Sequence, residues 1–293
     1  MYHNFCKSSD EKHANVCIPI GDFEEHVKYL KRFYSIISLR DLVEAMRQKK
    51  LFPPNAVAIT FDDGYKNNYS LAYPIIKKYN IPVTIFLVSG YIDSSDYLWV
   101  NQLTYAINES EKKTIDVRFN GMSYQYALAT PKEKKNACVD MKDKLKQLSA
   151  QELEKVLKAL YAELGFQQDK AKADTYQMLS SEDIFAMHNG LVAFGSHTIT
   201  HTSLTSIPDV QQLEEIKGSK NNLRQKLNVG ADYFCYPNGF YNSKVKEMVK
   251  RHYTAAVTIK SGFVTKDADL LELPRFWTPA QLPEFIWNLV HPS

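Results

Sequence analysis

Two short runs of this 293-residue chain carry side chains suited to hydrolytic chemistry. Asp62-Asp63-Gly64 sets two carboxylates side by side at the end of an apolar run, Ala56 to Phe61. Neighbouring residues on extended chain point in different directions, so one acid is free to bind a metal while the other handles a proton. His197-Thr198-Ile199-Thr200-His201 places two imidazoles four residues apart. On one turn of helix that spacing turns both rings toward the same cation. Each signal alone is weak, because Asp-Asp-Gly also reads as an ordinary turn and a lone HxxxH is common. Jointly, one carboxylate and two imidazoles make the three protein ligands of a catalytic metal with an open position. Zinc suits that donor set best, with iron, cobalt and nickel as alternatives.

Both runs need elements that deliver them to one place. The stretch 56–61 is apolar and β-branched, as expected of a strand buried on both faces, and 83–88 repeats the pattern after Pro82. Helical spacing covers 23–34, 42–46 and 70–79, with a short strand at Ile36-Ile37. Strand and helix signals alternate again from Ser180: helices end at Asn189-Gly190 and span 209–227 and 243–251, and strands fall at 191–194, 232–236 and 255–259. This alternation predicts an α/β fold of parallel strands covered by helices, with the motifs at the carboxyl ends of strands. The segment 97–178 differs, being rich in Lys, Glu and Gln. It reads as a mostly helical insertion in one domain spanning 1–293, with strand signals only at 114–119 and 123–127. A capping box at Ser149–Glu152 opens an apolar stripe ended by Gly165.

Composition sets outer limits. With 44% hydrophobic and 24% charged residues the chain has the balance of a globular protein. Lys and Arg number 36 against 33 acids, and a net charge of +3 is too small to advertise a nucleic-acid surface. No apolar stretch approaches the roughly 18–20 residues of a membrane span, which leaves peripheral membrane contact open. No basic-then-apolar leader is visible at the start, and Cys6, Cys17, Cys138 and Cys235 form no CxxC pair. The expectation is therefore free thiols and a cytoplasmic location.

Thr60-Phe61-Asp62-Asp63-Gly64-Tyr65 followed by Ser196-His197-Thr198-Ile199-Thr200-His201 resembles the first two motifs of the polysaccharide deacetylase (NodB-homology, carbohydrate esterase) family. Phe234-Cys235-Tyr236-Pro237-Asn238-Gly239 is similar to the third motif, and Leu273-Pro274-Arg275 to the fourth. The opening Met1-Tyr2-His3 and the segment 23–39 resemble the branch that includes poly-N-acetylglucosamine deacetylases. The resemblance implies a distorted (β/α) barrel of about seven parallel strands and a metal-dependent hydrolase that removes N-acetyl groups from amino sugars. It implies Asp63, His197 and His201 as metal ligands, Asp62 as general base, and the Asn238 backbone N–H as a donor to the oxyanion. Tyr65, Tyr236, Pro237 and Trp277 would line the substrate site, Trp277 together with Phe276 as an apolar wall near the acetyl methyl.

Two assignments need argument. An amine leaving group requires a general acid, usually histidine. His3 fits the branch in which that histidine lies near the start, while His291, in a late Leu-Val-His, is the alternative. His13, His26, His188 and His252 sit in polar or helical contexts and read as solvated or packed. In addition, the arginine that usually stands two residues before the third-motif proline is Cys235 here. Arg275 is the candidate to supply the missing charge beside Asp62.

The leading expectation is a deacetylase acting on a polysaccharide, a lipid-linked sugar or a nucleotide-linked sugar. The alternatives are a catalytically silent carbohydrate binder on the same scaffold and an amidohydrolase of a small non-sugar amide. Phosphoryl transfer would need a phosphate cradle, and neither a P-loop nor a GxGxxG run is present.

Overall fold

In the computed structural model, which describes residues 1–7, 17–167, 174–188, 190–228 and 230–291, the apolar runs pair into one parallel sheet. The strand order is Ala255–Val257, Tyr233–Cys235, Val192–Ser196, Val83–Leu87, Ile59–Phe61. The central strand Val83–Leu87 is buried throughout, which explains its unbroken apolar sequence. Val83 to Leu87 lie beside Val192 to Ser196 in register, so the two motif-bearing strand ends finish at the same level.

The expected seven strands are not all present: five are strands in this sheet, and two further segments join its edges through single bridges. Tyr2 lies parallel to Phe61 at one edge, and Leu273 lies parallel to Val257 at the other. The Met1 amine donates to the Phe276 carbonyl at 2.9 Å, so the two outer segments meet. The run 56–61 is also not one strand. It breaks at Ala58, with Ala56–Val57 pairing to Ser35–Ile36 and Ile59–Phe61 remaining in the main sheet.

Helices cover the sheet as their spacing predicts. Ile20–Phe33 buries Phe23, Val27 and Leu30. Leu39–Arg47 starts at a complete Ser38–Asp41 capping box. The polar stretch 209–227 forms Asp209–Leu213 and Ser219–Leu227, joined by a π-helical turn at Glu214–Gly218. Packed Phe23, Phe61, Ile85 and Phe194 belong to the main core. His26 is packed within it, its ring stacked on Phe285. Among the described residues no helix is long and apolar enough to cross a membrane.

Within 97–178 the helices Trp99–Glu109, Pro131–Leu145 and Ala150–Leu164 pack with an antiparallel hairpin, Thr114–Phe119 and Met122–Ala127. They bury a separate cluster including Leu103, Ile107, Val117, Met141 and Leu160. The expected capping box at Ser149 is only half formed. Its hydroxyl accepts from the Glu152 N–H, but the Glu152 carboxylate turns to the Asn120 N–H instead. Residues 168–173 of this segment, His13, and the helix end at Asn189 lie outside the described residues.

The expectation of free thiols is corrected for one pair. Cys6 and Cys17 form a disulfide that joins the parallel strands Asn4–Cys6 and Cys17–Pro19. Nothing in their spacing marks that pairing, because only the fold lays the two strands side by side. Cys138 and Cys235 are free and buried. Closing a loop of this size removes unfolded-chain entropy equivalent to about 3 kcal/mol. Replacing both cysteines by alanine is therefore expected to lower urea-unfolding stability by about that amount, and dithiothreitol should do the same to the parent protein but not to the variant.

Candidate active site

Asp62-Asp63-Gly64 leaves the Ile59–Phe61 strand through a turn that only particular residues tolerate. Gly64 has φ +81°, and a Cβ there would meet Leu87 Cδ2 at 2.7 Å. Asp63 is also left-handed, at φ 73°. This reversal sends the two carboxylates apart. Asp62 points toward the far edge of the sheet, and Asp63 toward the end of Val192–Ser196.

Asp63 Oδ1 lies 3.5 Å from His197 Nε2 and 3.4 Å from His201 Nε2, all three side chains being buried. The sequence places both imidazoles here, but not on a helical turn as the spacing suggests. The chain after Ser196 is an irregular bend with Thr198 at φ 68° and His201 at φ 62°. Left-handed conformation in a β-branched residue is strained, and such strain persists where surrounding contacts enforce it. Here they are named: the Thr198 hydroxyl accepts from the His201 N–H at 3.0 Å. Glu215 accepts from the N–H groups of Ile199 and Thr200 at 2.7 and 3.0 Å. The Ser89 and Gly90 N–H groups donate to the carbonyls of Thr198 and Ile199. Glu215, on the π-helical turn, is thus a positioning residue.

These three side chains fit a divalent cation. Asp63 Oδ1 is buried and receives no hydrogen bond. His197 Nδ1 is 2.8 Å from the Cys235 carbonyl and must be the donor in that pair, which leaves Nε2 as a bare lone pair facing Asp63. Burial lowers both His197 and His201 to about 4, so each ring is neutral and able to ligate near pH 7. A second grouping, Asp62, His197 and Cys235, also lies close together. It is the poorer site, because burial pushes the Cys235 thiol well above its ordinary range and Asp62 is already occupied.

Arg275 occupies it. Its Nη1 and Nη2 donate to the two oxygens of Asp62, each at 2.7 Å. The remaining guanidinium donors reach the Thr258 carbonyl, Thr60 Oγ1 and Cys235 Sγ. Burial opposes the Asp62 charge, but the Arg275 guanidinium outweighs it and holds the carboxyl well below the usual carboxylate range. The ion pair replaces the arginine missing at Cys235, as the sequence suggested.

A cavity of about 450 Å³ opens over these groups. His3 lines it, with Nε2 3.8 Å from Asp62 Oδ2, its ring against Trp277, and its carbonyl held by Asn68. His291 stands exposed at the end of helix Leu282–Val290, stacked on Trp287 and away from the cavity. Tyr65, Tyr236, Asn238 and Trp277 all line the cavity as expected. Burial first, then the Asp63 carboxylate, push the Tyr65 phenol well above its ordinary range, so it stays a hydrogen-bond donor. Pro237 is buried behind the turn that presents Asn238 and is not in the lining. Phe276 is not in it either; it packs against the main core, so of that expected pair Trp277 alone lines the cavity. Asn101, Lys142 and Lys146, from the 97–178 segment, line the cavity although no motif marked them. The only signal in the sequence was position. Lys142 directly follows Met141 of the buried stripe Cys138, Met141, Leu145.

The polysaccharide deacetylase family model matches residues 49–172 and 143–257, more than half of the chain. The chain belongs to the polysaccharide deacetylase family. His3 and Arg275 lie outside the matched residues. Among related deacetylases, the poly-β-1,6-N-acetyl-D-glucosamine N-deacetylase of Staphylococcus aureus is 33% identical over 91 residues, 31% of each chain. Bacillus subtilis YxkH is 30% identical over 147 residues, 48% of each chain. The chain thus spans about half or less of the length of the curated relatives it matches. The same fold is seen in Streptococcus pyogenes deacetylase PplD in complex with acetate (21% identity, TM-score 0.65, 100% of this chain and 96% of that one). IcaB from Ammonifex degensii has it too (17% identity, TM-score 0.62, 99% and 93%).

The neutral, buried imidazoles predict an acid-labile metal-free protein. The unfolded chain takes up protons near the ordinary histidine value of about 6.5, whereas the folded rings resist down to about 4. The unfolded state therefore binds more protons in this window, and stability of the metal-free protein should fall as pH drops from 6.5 to 4. His201→Gln should flatten that slope in a melting-temperature series.

Proposed function

We propose that the chain is a metal-dependent N-deacetylase of amino sugars, with zinc as the best-suited ion. The observation that carries the reading is the division of labour between the adjacent acids: Asp63 facing Nε2 of two imidazoles, Asp62 ionised and clamped by Arg275. A divalent cation held by Asp63, His197 and His201 would supply a Lewis acid for the amide carbonyl and a more acidic water. Asp62 accepts the proton of the attacking water, and the bidentate Arg275 keeps that carboxylate charged and oriented. His3, beside Asp62 in the same cavity, delivers a proton to the departing amine. Asn238, left-handed at φ 55° and lining the cavity, would offer its backbone N–H to the developing oxyanion. Trp277 and Tyr65 enclose the acetamido group. The Cys6–Cys17 disulfide supports an oxidising compartment over the cytoplasmic location expected from the sequence.

Acetate release from N-acetylglucosamine oligomers by the zinc-loaded protein tests the reading. Asp62→Asn should lose at least about a hundred-fold in kcat/KM while retaining zinc, and undiminished turnover would refute the base assignment. His3→Gln should lower kcat by about a hundred-fold or more, whereas His291→Gln should leave kcat as it is. Arg275→Met strips a buried carboxylate of its partner and is expected to cost about 3–5 kcal/mol of stability along with activity. Unchanged kcat/KM in that variant would remove Arg275 from the mechanism.

A further inference from the structure

The cavity over the paired acids has an unbalanced charge. Its lining holds two carboxylates, Asp62 and Asp63, and no other acid. Asp62 is neutralised by the bidentate Arg275, and Asp63 faces two imidazoles in a position that suits a divalent cation. Two ammonium groups remain. Lys142 and Lys146 enter from helix Pro131–Leu145 and its C-cap, four residues apart and hence on one face. Among the described residues no ion pair holds Lys142. Lys146 touches only the exposed Asp143, at 3.5 Å. Burial lowers the Lys142 ammonium to about 8, as expected of a cation withdrawn from water without a counter-ion. Cations left this way at the rim of a concave site focus a positive potential on whatever enters it. The buried face of the same helix is Ala137, Cys138, Met141 and Leu145, so packing does not require lysine at either position.

We propose that Lys142 and Lys146 form a subsite for an oxyanion, so that the substrate is an N-acetylated sugar bearing a phosphate or carboxylate on or next to the residue that is deacetylated. The proposal rests on the deacetylase reading and narrows its substrate class. Asn101, which lines the cavity and donates to the Tyr65 hydroxyl at 2.9 Å, links the lysine wall to the wall beside Asp63. The subsite and the reacting centre therefore share one cavity of about 450 Å³. Phosphate and carboxylate share the chemistry that two ammonium groups recognise, and the experiment separates them.

The zinc-loaded protein is given three matched probes: a neutral dimer of N-acetylglucosamine, the same dimer carrying a lactyl carboxylate on the second unit, and the dimer 1-phosphate. At least one anionic probe should exceed the neutral dimer by about ten-fold or more in kcat/KM, mainly through KM. That advantage should shrink in 0.5 M salt. In the double variant Lys142→Met, Lys146→Met the anionic-to-neutral ratio should collapse to about one. Which anionic probe leads identifies the group. Equal rates on all three probes, or a ratio unchanged in the double variant, overturn the subsite while leaving the deacetylase reading intact. If no probe releases acetate, that reading fails, and calorimetric titration with N-acetylglucosamine 1-phosphate still decides the subsite. Binding to the parent protein that is lost in the double variant supports it; equal binding in both overturns it.

Discussion

Two consecutive acids, both buried, impose the constraint on which this molecule is organised. Like charges a few ångströms apart in a poorly solvated site repel strongly and would drive one carboxyl to protonate. The left-handed turn at Asp63 separates them, and each then meets its own environment. Asp62 finds a guanidinium whose donors are all used, and so it stays ionised in the interior. Asp63 Oδ1 receives no hydrogen bond and faces Nε2 of both imidazoles, while Tyr65 lies beside the same carboxylate. Such a convergence of three electron-pair donors is unfavourable unless a cation draws them together, which makes the same geometry both a liability of the metal-free chain and the basis of metal binding.

How much of this was legible in the sequence depended on whether each feature is local. Asp-Asp-Gly after an apolar run and the HxxxH after another are read within a few residues, and both proved to sit at strand ends. The Cys235 departure was informative because a buried carboxylate must have a partner. The absence of arginine there directed attention to Arg275, which the structure brings to Asp62 from the opposite edge of the sheet. The conformation between His197 and His201 was not legible. Spacing of four suits a helical turn, and only the tertiary contacts from Glu215, Ser89 and Gly90 show that a strained bend does the same work. The break at Ala58 escaped for a similar reason, since an unbroken apolar run says nothing about which neighbour each half pairs with. The disulfide and the lysine wall depend on segments meeting in space, and helix-borne lysines are usually a solvated face.

Closure of the sheet explains why the chemistry gathers where it does. Five strands alone would leave two open edges, and an open edge exposes unpaired backbone groups. The single bridges of Tyr2 and Leu273 occupy those edges, and the contact between Met1 and Phe276 brings the two outer segments together. His3 follows directly on the first bridge, and Arg275 and Trp277 follow closely on the second. The residues gathered around Asp62 are therefore carried by the very segments that close the fold, so assembly of the proton-handling half of the site and completion of the sheet are one event. The disulfide at Cys6 fastens the first of those segments a few residues beyond His3. That tether limits how far the edge carrying His3 can separate from its neighbour, and so ties the position of the candidate acid to the covalent structure of the chain as well as to its packing.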